Sequence, residues 1–221
     1  VRPPPTAPAP ARKSKRRVRS RPQAPPPGWR PPAGYIPVAV RRRRKWPWLL
    51  LLTLLCCGGV PAYVGAPMLQ QYPASAALPG QVKDLRLRDD EASQRTTRRL
   101  EREMQLTYWP EDTFAGIYTA ANGKRVVIFG ATGFRLSPDK DVDAEIGRLR
   151  DDYDLRDIQP IDTGVRGEHQ RCGTGQWNGD SVVVCTWADH GSIASGVFDR
   201  LSVDDSARLL GEMRSSIVSR G

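Results

Sequence analysis

Apolar and uncharged positions run without a break from Trp46 to Leu69 (WPWLLLLTLLCCGGVPAYVGAPML), inside a longer stretch between Lys45 and Lys83 that holds no charge. At about 1.5 Å per residue, this run covers the roughly 30 Å of hydrocarbon in a bilayer, so the pattern predicts one transmembrane helix over 46–69. Pro47 suits the first helical turn, where its missing N–H costs little. Pro61, following Gly58 and Gly59, predicts a kink or thinning of the outer half. Over 70–90 the chain is small, Pro-broken and aperiodic, which reads as a stalk between bilayer and domain.

Periodicity returns beyond residue 90. Residues 91–106 favour a helix with a thin apolar stripe, Leu100 and Met104, and an Arg99/Glu103 pair four apart. Ser137-Pro138-Asp139 supplies an N-cap, a first-turn proline and an acid at the positive end of the helix dipole. Val142, Ile146, Leu149 and Tyr153 follow at helical spacing. Ser202 to Asp205 resembles a capping box, opening a last helix with Ala207, Leu210, Met213 and Ile217 inward.

Two Asn-Gly dipeptides punctuate extended segments, and each predicts a two-residue hairpin turn with both central residues at positive φ. The first folds 114–121 onto 124–131, which would oppose Tyr118 to Val127 and Ile117 to Ile128. The second joins a strand ending at Trp177 to one running from Asp180 to Ala188. Its register opposes Cys172 to Cys185, and parity makes theirs a non-hydrogen-bonded pair, with Cα atoms about 4.5 Å apart. A disulfide accepts that spacing, and an oxidising compartment outside the membrane favours it over a reactive thiol or metal pair. Strands at 158–163 and 193–198 complete the order α, β, β, α, β, β, β, β, α over 91–221. The fold class is therefore α+β, a mainly antiparallel sheet packed by two or three helices.

Composition sharpens the membrane reading. Residues 1–45 hold 14 of the 34 basic residues, 12 of the 20 prolines and no acid. Proline at that density blocks helix and sheet, so 1–45 reads as a disordered tail. The remaining chain carries 20 basic against 24 acidic residues, which excludes a folded domain presenting a broad cationic face to nucleic acid. In the tail itself a basic tract binds any polyanion, and apart from Trp29 it has no aromatic platform for bases. Arg41, Arg42, Arg43, Arg44 and Lys45, followed by Trp46 and Trp48, read as a cytoplasmic basic anchor on anionic inner-leaflet lipids beside an interfacial aromatic belt. The N-terminus is expected inside and the domain outside. Ala74-Ser75-Ala76 offers signal-cleavage spacing, but a 45-residue basic leader is far longer than a signal peptide's. Thr53-Leu54-Leu55 lacks the small residue that a lipid-modified Cys56 would need before it.

Chemistry is sparse. Val126 to Phe134 looks like a strand entering a dinucleotide-binding glycine loop, but Leu136 replaces the third small residue and Ser137-Pro138 starts the helix too late, so no cofactor is expected. His169 and His190 lack spaced zinc partners. Asp189-His190-Gly191-Ser192 contains triad residue types, yet neighbours in one tight turn point apart, so a turn role is expected. Trp177, Trp187, Asp189 and His190 stand as speculative binding residues, with core packing the plainer reading of both tryptophans.

The segment from Arg171-Cys172 through Val184-Cys185-Thr186-Trp187-Ala188-Asp189-His190-Gly191-Ser192 to Met213-Arg214 resembles a group of uncharacterised single-pass membrane proteins of high-G+C Gram-positive bacteria. Those proteins join a Pro/Arg-rich inner tail to one small outer domain. The resemblance implies a location and no activity. Two functions then compete: a non-enzymatic envelope protein whose outer domain binds a partner or ligand, and a small extracytoplasmic hydrolase. The scarcity of convergent His, Ser and carboxylate groups favours the first.

Overall fold

A computed structural model describes Pro27, Gly28, Gly34 and residues 45–220. The tail reading and Arg41, Arg42, Arg43 and Arg44 fall outside the described residues. From Trp46 the chain forms one helix (α1, Trp46–Gln71), long and apolar enough to cross a membrane. Leu55–Gly59 is a π-helical turn, in which the Val60 N–H bonds back to the Leu55 carbonyl. The wider turn makes room ahead of Pro61, so the helix runs on through the proline.

The domain follows as β1 (Ala74–Ala76), β2 (Gln81–Val82), β3 (Leu85–Leu87), α2 (Glu91–Tyr108), β4 (Asp112–Thr119) and β5 (Arg125–Thr132). Then come α3 (Pro138–Tyr153), β6 (Arg156–Ile161), β7 (His169–Trp177), β8 (Asp180–Ala188), β9 (Ser192–Asp199), α4 (Val203–Ile217) and β10 (Val218–Arg220). Eight strands form an antiparallel sheet in the order β2, β3, β4, β5, β9, β8, β7, β6, while β1 pairs separately with β10. This is the expected α+β class. Alternation along the central strands sends Tyr118, Ile128, Cys185, Trp187 and Phe198 to one face, under Leu210 and Met213 of α4. Ile117, Val127, Phe129, Val184 and Val197 go to the other, under Val142, Ile146 and Leu149 of α3 and Met104 of α2.

The stalk expected over 70–90 is corrected: that segment carries β1, β2 and β3, Val82 and Leu85 are buried, and the Tyr118 hydroxyl donates to the Pro79 carbonyl. Strands of two or three residues are too short to leave a readable alternation, which hid them in the sequence.

The first hairpin is also corrected by one residue. Tyr118 pairs with Val126 and Ile117 with Val127. The turn has three residues rather than two: the Gly123 N–H bonds the Ala120 carbonyl, the Ala120 N–H bonds the Lys124 carbonyl, and only Gly123 takes positive φ. Asn122 instead accepts the Lys124 N–H on its side-chain oxygen. This three-residue loop, with glycine in the left-handed position, is the next commonest hairpin. At the second hairpin both Asn178 and Gly179 have positive φ, Trp177 pairs with Asp180, and Cys172 lies opposite Cys185. These cysteines form a disulfide with Cα atoms 4.1 Å apart.

Both hairpin turns sit at one end of the sheet. The loops 133–137 and 189–191 sit at the other, about 27 to 30 Å away along a nine-residue strand such as β8. At α3 the expected Ser137 cap is made by its carbonyl, which accepts the Lys140 and Asp141 N–H groups, and not by its side chain. At α4 the Ser202 side chain does accept the Asp205 N–H.

Candidate functional site

β8 ends in the Trp187-Ala188-Asp189-His190 segment, which places three of the four speculative residues at the α1 end of the sheet. Asp189 is fully buried and spends one oxygen on the Gly191 and Ser192 N–H groups and the Ser192 hydroxyl, and the other on Arg220. His190 Nδ1 donates to the Arg135 carbonyl at 2.8 Å, and its backbone N–H donates to Gln71 Oε1. These groups build a turn. Trp177 lies at the opposite end, stacked under the Arg125 guanidinium at 4.1 Å and edge-on to Tyr153, so the sheet does not bring it to the other three.

Around Trp187 the chain forms a groove of about 420 Å³ between α4 and the β6–β7 connection, lined among others by Glu168, Gln170, Asp204, Arg208 and Arg214. Trp187 is buried, Arg214 covers its ring at 4.4 Å, and its indole Nε1 has no hydrogen-bond partner among the described residues. A buried donor left unpaired costs roughly 1 to 3 kcal/mol. The buried Glu168 carboxylate is ion-paired to Arg214 and, at 2.9 Å, to Arg220. Gln170 Nε2 donates to the Ala207 carbonyl of α4. The arrangement holds Arg214 across the indole and leaves the exposed Arg208 at the rim.

A second cleft, about 460 Å³, opens between α2 and α3 over Val127, Phe129 and Leu149. Beside it Glu145 is fully buried on α3. Its carboxylate takes the Tyr108 hydroxyl at 2.7 Å, both Arg148 Nε and Nη2, and the Ser195 hydroxyl, which in turn bonds Thr186. Burial and the adjacent Glu145 charge push the Tyr108 hydroxyl far above its usual range, so it acts as a fixed donor.

The end of α1 is built into the domain beside Trp187. Gln71 is buried, with Nε2 on the Arg166 carbonyl and Oε1 on the His190 N–H. A Cβ at Gly191 would collide with the Gln71 carbonyl oxygen, so only glycine admits the helix there. Arg166 reaches back to the Tyr63 carbonyl at 2.7 Å and stacks on its ring. β10 pairs with β1 directly after the helix, and Arg220 ties that strand to Glu168 and Asp189. Lys45, Trp46 and Trp48 are exposed at the other end of α1.

Glu145, Glu168, Arg214, Arg220 and Gln71 escaped sequence reading because each acts across a long stretch of chain and none sits in a local motif. Among the described residues no group of three His, Cys, Asp or Glu side chains converges as a metal site. Compared with known protein families, with curated proteins and with solved structures, the chain finds no match.

Proposed function

We propose that the chain is a single-pass, membrane-anchored envelope protein with a cytoplasmic N-terminus, whose extracytoplasmic domain binds a partner or ligand in the groove at Trp187 without catalysing a reaction. The observation that carries the binding reading is the buried, unpaired Trp187 indole N–H at a groove flanked by Arg214. The ligand it fits presents a hydrogen-bond acceptor against an aromatic and cationic wall. The Cys172–Cys185 disulfide supports an oxidising location for the domain, and the basic run before Trp46 supports retention of the other end in the cytoplasm on anionic lipids.

Two experiments test the two halves. Protease added to intact cells should remove residues 72–221 and spare the tail; protection of the domain overturns the topology. For binding, full-length protein carrying an affinity tag is crosslinked in intact membranes and recovered as wild type, Trp187→Phe and Arg214→Ala. Trp187→Phe removes the N–H donor together with the five-membered part of the indole, while Arg214→Ala removes the cation that covers it. Partners that survive in equal yield on both variants would refute the groove as the site.

A further inference from the structure

The geometry points to a second membrane contact: an apolar collar on the domain, Trp109, Phe134, Leu136 and Val165, that seats in the lipid interface around the exit of α1. This rests on α1 spanning a bilayer, which is part of the function proposed above. Its first support is where the exposed apolar side chains lie. Beyond α1, the large hydrophobic residues left exposed among the described residues are Leu106, Trp109, Phe134, Leu136 and Val165, with Trp109 90% and Leu136 69% accessible. All five belong to one end of the domain, the end that α1 enters. The Phe134 ring packs edge-on against Tyr72, immediately after the helix. Tyr72 also donates to Glu111 at 2.6 Å, two residues past Trp109, and Gly133 lies against Pro110 and Glu111. Val165 precedes Arg166, which holds the Tyr63 carbonyl. By contrast, the far turns at 121–123 and 178–179 expose Asn, Gly and Ala.

The second support is depth. Residues 46–64 of α1 are exposed throughout, whereas Gly65 to Met68 and Gln71 are covered by the domain. Nineteen helical residues span about 28 Å, close to the roughly 30 Å hydrocarbon thickness. The domain therefore begins where the hydrocarbon ends, at the level where Trp, Phe and Leu side chains with a nearby Arg are favoured. The paired β1 and β10 and the buried Gln71 leave no free linker that would let the domain stand away from the surface. Four scattered apolar residues on a monomer surface need no explanation, but four at the rim of a membrane-entering helix share one solvent, lipid.

The test uses the full chain reconstituted in vesicles of zwitterionic and anionic phospholipid, with Cys56→Ala and Cys57→Ala leaving the disulfide intact. Single cysteines Trp109→Cys, Leu136→Cys and Val165→Cys carry an environment-sensitive fluorophore. Leu52→Cys serves as the reference inside α1, and Asn178→Cys as the one at the far turn. Collar labels should emit to the blue of the Asn178→Cys label and lose most of their signal to lipids brominated near the headgroup. If Leu52→Cys is quenched while all three collar labels behave like Asn178→Cys, the collar is refuted and the membrane span stands. If Leu52→Cys is also unquenched, the span fails and the collar fails with it.

Discussion

On the α4 face of the sheet, β7 and β8 are joined covalently by Cys172–Cys185 among apolar side chains. On the opposite face α2 and α3 are joined through the buried carboxylate of Glu145. The difference follows from how much apolar surface each helix offers. α4 buries Ala207, Leu210, Met213 and Ile217, a full apolar stripe. α2 buries only Ser93 and Met104, and its last residue, Tyr108, reaches Glu145 to hold the helix down. A thin apolar stripe is thus completed by one buried polar connection, and that connection fails if any partner is lost. The disulfide acts differently: it restricts the unfolded chain, whatever the packing above it.

The largest effect should come from breaking the polar face. Glu145→Ala leaves the Tyr108 and Ser195 hydroxyls without their acceptor and Arg148 without its partner, an expected loss of about 3 to 5 kcal/mol. Urea unfolding of the purified protein measures it. A loss below about 1 kcal/mol would mean that apolar packing alone fixes α2. Glu145→Gln, which keeps an acceptor, should fall between.

Next is the covalent face. The bridge closes a loop between residues 13 apart, for which chain entropy gives roughly 3 kcal/mol. Replacing both cysteines by Ala should lower the unfolding midpoint accordingly. Reductant should shift the wild type to the same midpoint and leave the double variant unmoved. Non-reducing peptide mapping should recover one crosslinked peptide; two free thiols would remove the contrast between the faces.

The alkaline limb tests whether the faces differ in buried hydroxyls. Burial is the first cause of a raised pKa at Tyr108 and Tyr153 on the α2–α3 face and at Tyr118 on the α4 face, which is pushed up to about 12. Folded values above 10 mean that the unfolded state releases these protons first. Their stabilisation is complete below pH 10 and is lost as pH rises through 10 towards each folded value. Unfolding free energy should therefore fall above pH 10, and Tyr108→Phe and Tyr118→Phe should each remove a slope of about half a proton at pH 10, growing towards one at pH 11. At neutral pH both variants lose a hydrogen bond, but Tyr108→Phe should cost more, because its hydroxyl serves the buried Glu145 carboxylate whereas that of Tyr118 serves the neutral Pro79 carbonyl. Equal neutral stabilities would deny the hydroxyl its holding role.

Much of this architecture was legible locally. The three domain helices announced themselves through Leu149, Met213 and their neighbours at helical spacing, and the disulfide through the register set by Asn178-Gly179. What stayed hidden depended on distance along the chain. The docking of Gln71 against His190, the closure of β1 by β10 and the Glu168–Arg214 pair each join residues dozens to more than a hundred positions apart, with no periodic signal at either end. The groove at Trp187 was half visible: the tryptophan and its Asp189-His190 turn stood out, but its walls come from α4 and the β6–β7 connection.

The smallest effect separates the two hairpins on which the faces depend. Asn-Gly appears in both, yet Asn178 sits at φ +52 in the turn that sets the disulfide register, while Asn122 has ordinary φ and leaves the left-handed position to Gly123. Left-handed backbone costs an ordinary residue roughly 1 to 2 kcal/mol, a penalty that asparagine lessens through local hydrogen bonding. Asn178→Ala should accordingly lose about 1 kcal/mol, and Asn122→Ala only the bond from its side-chain oxygen to the Lys124 N–H, about 0.5 kcal/mol in an exposed turn. Chemical denaturation of the two variants side by side gives the difference. With the crosslink intact, Asn178→Ala should keep the Cys172–Cys185 peptide, because the disulfide fixes the register from within the strand pair. Equal losses at the two sites would show that Asn178 gains nothing from its left-handed place and that the disulfide alone maintains the β7–β8 register.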